Sequence, residues 1–134
     1  MKKVLLVALL LGTPAMAQVS PFNPAVTYVA LRDVAGAFGQ FMTLDLNILK
    51  LPRLTTAGVA YTFIPGDDKA YPEGKDPITL PGTVVIQDGI TYVPAPFFDA
   101  LGCVISPAVG NAQAVNIACK NKEGDLEGND FEQP

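Results

Sequence analysis

The stretch TYVALRDVAGAFG, residues 27–39, returns as TYVPAPFFDALG, residues 91–102, one residue shorter. Each copy opens on alternating apolar residues, Val26-Thr27-Tyr28-Val29 and Ile90-Thr91-Tyr92-Val93, the period-2 pattern of a short strand. The next residues are spaced for a helix: Leu31, Val34, Ala35 and Phe38 in the first copy, Phe97, Phe98 and Leu101 in the second. Gly39 and Gly102 then stand where a left-handed C-cap is wanted. Each copy therefore reads as strand, short helix, glycine stop, strand. Two such copies predict one compact domain built from two similar strand-helix-strand half-units, a repetition that serves folding.

The second copy continues into CVIS, PAVGN and AQAVNIAC, two strands around a turn with Gly110-Asn111 at the tip. A hairpin closing near residue 111 sets Cys103 opposite Cys119 and Ile105 opposite Ile117. These are the 2 cysteines of the chain, and a disulfide between them would staple the open end of the hairpin. By the chain-entropy estimate it is worth about 3 kcal/mol. A metal site is the poorer reading, because two thiols with no histidine make a weak ligand set.

A second hairpin is expected in TVVIQDGITYV, residues 83–93, with Asp88-Gly89 as its two-residue turn. FMTLDLNILKL (41–51) and GVAYTFIP (58–65) have strand character and are separated by Pro52, while residues 66–82, rich in Gly, Pro and charge, predict turns with one or two brief strands. Short strands, hairpins and two short helices make the fold class α+β with mainly antiparallel pairing.

The chain begins MKKVLLVALLLGTPAMAQ: two lysines, an apolar run from Val4 to Leu11, then Ala15 and Ala17 around Met16. That is the pattern of a signal peptide, with cleavage expected after Ala17. The run is shorter than the roughly 20 residues needed to span hydrocarbon, so no membrane span is expected. The mature protein would be secreted or periplasmic, an oxidising setting that suits the disulfide. Cleavage takes Lys2 and Lys3 from the 9 Lys+Arg, leaving 7 against 13 Asp+Glu and a net charge of −6. An acidic chain without basic clusters argues against a nucleic-acid partner. Much of the acid lies in NKEGDLEGNDFEQP, poor in large apolar residues. The domain expectation is thus a leader at 1–17, a folded domain at 18–120 and an acidic disordered tail at 121–134.

Residues 78–102, ITLPGTVVIQDGITYVPAPFFDALG, resemble the core motif of the copper amine oxidase N-terminal-domain-like family, also called the stalk domain. That motif is a strand, a D-G or N-G turn, TYVPLR, and a helix ending in ALG. Residues 59–75 look like the strand-turn-strand that precedes it, and TYVALRDVAGAFG looks like the opening half, so the likeness covers nearly all of residues 25–120. The arginine of the motif is present as Arg32 in the first copy and replaced by Pro96 in the second, so any contact it makes carries over to Arg32 alone. In the enzyme that names the family this domain stands apart from the catalytic one, and copper and the quinone cofactor belong elsewhere. The resemblance implies an exported bacterial accessory domain of a kind often joined to enzymes or surface-attachment modules.

The chain contains 0 histidines, which excludes Ser-His-Asp and Cys-His machinery and a three-histidine copper site. Paired carboxylates remain as the basis of a small glycan hydrolase. Candidates in the folded part are Asp33, Asp45, Asp67, Asp68, Glu73, Asp76, Asp88 and Asp99. Most of these read as turn or surface residues. Asp67, Asp68, Glu73 and Asp76 offer oxygen ligands for calcium, at a spacing that matches no standard loop. Tyr28 and Tyr92 hold equivalent places in the two copies, where exposed rings would stack on a sugar or a peptide and half-buried ones would belong to the core. Arg32 would bind an anionic ligand or pair with a carboxylate such as Asp33 or Asp99. Phe38, Phe97 and Phe98 are assigned to the core. The leading expectation is a non-catalytic exported module, without cofactor, that binds a cell-envelope polymer or another exported protein. The alternatives are a carboxylate-dependent glycan hydrolase and a secreted inhibitor acting through a loop such as 65–82.

Overall fold

A computed structural model describes residues 27–120 and 122–131, without the side chains of residues 111–113 and 130; the expected leader at 1–17 lies outside the described residues. The chain runs β1 (Thr27–Ala30), α1 (Leu31–Phe38), a single 3₁₀ turn (Gly39–Phe41), β2 (Thr43–Leu46), β3 (Pro52–Thr56), β4 (Val59–Phe63), β5 (Lys69–Pro72), β6 (Ile78–Thr79), β7 (Val85–Gln87) and β8 (Ile90–Pro94). A 3₁₀ helix (Ala95–Leu101) comes next, then β9 (Val104–Ala108), β10 (Asn111–Ala118), β11 (Glu123–Glu127) and β12 (Asn129–Asp130). Among the described residues the strands form three sheets, ordered β2-β3-β4-β5-β6, β12-β1-β8-β7 and β9-β10-β11, and every pairing is antiparallel. The fold class is α+β.

Local chemistry accounts for most of the boundaries. Asp88 (φ 55°) and Gly89 (φ 78°) make the two-residue turn between β7 and β8, both in the left-handed conformation that a type I′ hairpin requires. The second helix is 3₁₀ rather than α: Pro96 lies in its first turn, and the helix stops at Gly102 (φ 86°, left-handed). Gly39 also has positive φ, but its ψ of −126° is outside the left-handed helical region, and the chain goes on through a 3₁₀ turn. Pro52 does not separate strands. It opens β3 opposite Leu46, a first-residue position where the missing N–H is tolerated. Residues 66–82 contain two brief strands, β5 and β6, as expected.

The hairpin β9–β10 pairs Ile105 with Ile117 as expected, and Cys103 is bonded to Cys119 with Cα atoms 4.2 Å apart, close to the spacing of a non-hydrogen-bonded pair. A register shift between Pro107 and Ala108 brings Ala108 opposite Asn111, so the turn falls at Val109-Gly110, one residue earlier than expected.

The core is one cluster in which all three sheets and both helices meet. Leu31, Val34 and Phe38 of α1 join Leu54, Tyr61, Phe63 and Ala70 of the five-stranded sheet, Val29 and Val93 of the four-stranded sheet, and Val115, Ile117 and Leu126 of the three-stranded one. Phe97 is the hinge of the aromatic packing: its ring lies 5.4 Å from Tyr61, 5.0 Å from Phe63 and 5.0 Å from Phe98, each edge to face. The assignment of Phe38, Phe97 and Phe98 to the core holds.

The acidic tail expected at 121–134 is the principal correction. Residues 123–127 are a strand paired to β10, and residues 129–130 pair with β1. The reason is alternation: Gly124 and Leu126 face inward opposite Ile117 and Val115, while Glu123, Asp125 and Glu127 face solvent. Leu126 is 3% exposed. Gly124 lies close against α1, where an added Cβ would stand 3.0 Å from the Ala37 Cβ. Gly124→Val should therefore destabilise the domain by about 1–3 kcal/mol in urea unfolding, because the extra atoms must force β11 off the helix. A variant as stable as the parent would mean that β11 does not pack there.

Candidate functional site

The β9-β10-β11 sheet has two unlike faces. Val115, Ile117 and Leu126 turn inward, and α1 packs on β11. The opposite face carries the row Ser106, Asn116, Asp125, each opposite the next across the strands. Asn116 Nδ2 donates to Asp125 Oδ1 at 2.8 Å and to Glu123 Oε2 at 3.1 Å, so one amide holds two carboxylates side by side. Ser106, Pro107, Val109, Asn116, Glu123, Gly124 and Asp125 line a shallow open groove of about 430 Å³.

The chemistry available in this groove is limited. General acid–base work needs two carboxyl groups in unlike environments, one of them kept protonated by an apolar surround. Glu123 and Asp125 are both exposed and share the same donor. Ser106 has no histidine to activate it, since the chain has none. The arrangement suits weak recognition of polar or cationic groups more than bond breaking. Sequence reasoning missed the groove because it treated residues 121–134 as a tail. The E-G-D-L-E alternation was the available signal.

The residues singled out from sequence go elsewhere. Tyr28 and Tyr92 lie on one face of the β1–β8 pair, since Tyr28 opposes Pro94 and Tyr92 opposes Ala30. Phe131 covers both, with ring centroids 5.2 Å from Tyr28 and 4.9 Å from Tyr92. Tyr28 is 2% exposed, and its hydroxyl donates to the Thr83 carbonyl at 2.7 Å. It is a core residue with a bonded rim, not a stacking platform. Arg32 stands on the exposed side of α1, with Nε 3.5 Å from Asp33 Oδ1, a surface pair of small energetic consequence.

Two of the loop carboxylates, Asp67 and Asp68, are paired within the loop, while Glu73 and Asp76 are exposed. Asp67 accepts a 2.5 Å hydrogen bond from the Tyr71 hydroxyl, and Asp68 pairs with Lys69 at 3.2 Å. The backbone here is laced together: Gly66 N–H donates to the Val84 carbonyl, Val84 N–H to the Asp67 carbonyl and Leu80 N–H to the Asp68 carbonyl. Ala70, Pro72 and Leu80 are buried, so the 65–82 segment is a bonded strap whose longest exposed run is residues 73–77. Among the described residues no group of three or more His, Cys, Asp or Glu is placed to hold a metal ion. Comparison of the chain with protein-family models, with curated proteins and with solved structures finds no match.

The Tyr71 hydrogen bond holds the Asp67 carboxyl below its ordinary range and, in turn, pushes the Tyr71 phenol up. The lowered carboxyl favours the folded state above the unfolded Asp value, near 3.9, and that contribution disappears as pH falls through the folded value. The raised phenol favours the folded state below about pH 10 and loses its contribution as pH rises through its folded value. Tyr71→Phe should therefore cost stability at neutral pH, with the gap to the parent closing on acidification below the Asp range. Urea unfolding of both proteins as a function of pH checks this; a gap unchanged at acid pH would contradict it.

Proposed function

We propose that this chain is an exported, non-catalytic accessory module that binds or scaffolds at the bacterial cell envelope. The observation that carries the non-catalytic part is the groove: its paired carboxylates, Glu123 and Asp125, stand exposed side by side on one donor, without the split environments acid–base chemistry needs. The leader-like start of the chain and the Cys103–Cys119 bond are consistent with export to an oxidising compartment.

The same reading assigns the chain to the copper amine oxidase N-terminal-domain-like family and takes it as two similar half-units. In support, β1 leads directly into α1 and β8 directly into the 3₁₀ helix, and β1 and β8 pair with each other through Val29 and Val93. Copper has no part in this proposal, and neither has any other cofactor.

Co-sedimentation of residues 18–134 with purified cell wall, and separately with envelope membranes, tests the proposal. Saturable, salt-resistant pelleting with at least one fraction is expected, without release of soluble sugars from the wall. Protein that stays in the supernatant with both, or that degrades the wall, would overturn it.

A further inference from the structure

The hairpin tip between β2 and β3 is an apolar projection with no inward role. Leu46, Ile48 and Leu49 are 59%, 93% and 71% exposed. Leu44, two residues before Leu46 on the same face, still packs against the core, so the strand carries its apolar face past the end of the core.

The backbone of this tip is closed on itself. Asn47 N–H donates to the Leu51 carbonyl and Lys50 N–H to the Asn47 carbonyl, both at 2.9 Å. Asn47 Oδ1 accepts from Leu49 N–H at 2.8 Å and from Leu51 N–H at 3.0 Å. Moving backbone groups out of water is costly when they lose their partners, and here four of the tip's amides keep theirs.

Charge is distributed to match. Between Leu46 and Pro52 the sole ionisable residue is Lys50, exposed beside Leu49. At the base, Arg53 and Asp45 neutralise each other through two hydrogen bonds, 2.9 and 2.7 Å. The tip is thus the cationic, aliphatic end of a chain whose net charge is −4.

We propose that this tip docks on an anionic lipid surface. Ile48 and Leu49 would enter the boundary between headgroups and acyl chains, a layer of about 5–10 Å. Lys50 stays at phosphate level. The bonded backbone lowers the cost of the transfer. A protein partner fits less well. Stable protein interfaces bury roughly 800 Å² on each side, far more than these few side chains offer. A two-fold contact between copies through this tip would set Lys50 against Lys50. The inference rests on the reading of an envelope-associated module and names the surface it meets.

Sedimentation of residues 18–134 with vesicles of phosphatidylglycerol mixed into phosphatidylcholine, and with phosphatidylcholine alone, tests it. The parent should pellet preferentially with the anionic vesicles. Ile48→Ser combined with Leu49→Ser should weaken this by at least on the order of tenfold, and Lys50→Glu should abolish the preference for anionic lipid. Thermal midpoints should be unchanged, because these side chains are exposed. A parent protein that pellets with neither vesicle, or a double variant that pellets like the parent, would overturn the inference. So would concentration-dependent self-association that depends on Ile48. Cell-wall sedimentation run in parallel separates the two proposals: wall binding without vesicle binding defeats the lipid surface alone, and binding to neither defeats both.

Discussion

The return of residues 123–131 onto the strand and helix at 27–38 is the contact on which the rest of the structure depends. It does three things at once. β11 extends the β9–β10 hairpin and carries Leu126 into the core; Gly124 lets that strand lie against Ala37; and β12 with Phe131 closes the outer side of β1. β1 is thereby paired on both sides, with β12 and β8, and Val29 at its centre is fully buried. Take this segment away and the Tyr28–Tyr92 face and the flank of α1 are left to water.

The closure also decides where function is to be sought. The face that two equivalent tyrosines would make into a binding platform is covered by Phe131, and Arg32 makes an exposed surface pair with Asp33. Among the outward surfaces of the described residues are the Asn116 groove with its paired carboxylates and, separately, the aliphatic tip at 46–50. These surfaces differ in kind. One is polar and acidic, the other apolar with a single cation.

Much of the architecture was legible because its signals are local. Asp88-Gly89 announces its hairpin, Gly102 its helix end, and the cysteine spacing its bridge, each through the backbone of a few consecutive residues. The misread parts depended on distant partners. Pro52 looks like a breaker until Leu46 stands opposite it. Glu123, Asp125 and Glu127 look like a solvated tail until Val115 and Ile117 supply an apolar face for Gly124 and Leu126 to meet. The exposed tip could not be found from composition, because LNILKL reads the same whether its leucines go in or out. The candidate groove was hidden for the same reason as β11: it exists only once that strand is paired.

Amide hydrogen exchange across residues 114–127 tests the central claim most directly. If β11 is part of the cooperative core, the β10 and β11 amides that bond to each other should exchange only through global opening, with the same protection as those joining β1 to β8. Unprotected amides at 124–126 beside protected ones at 28–30 would show the segment to be detached, and would reopen the tyrosine face as a surface for ligands.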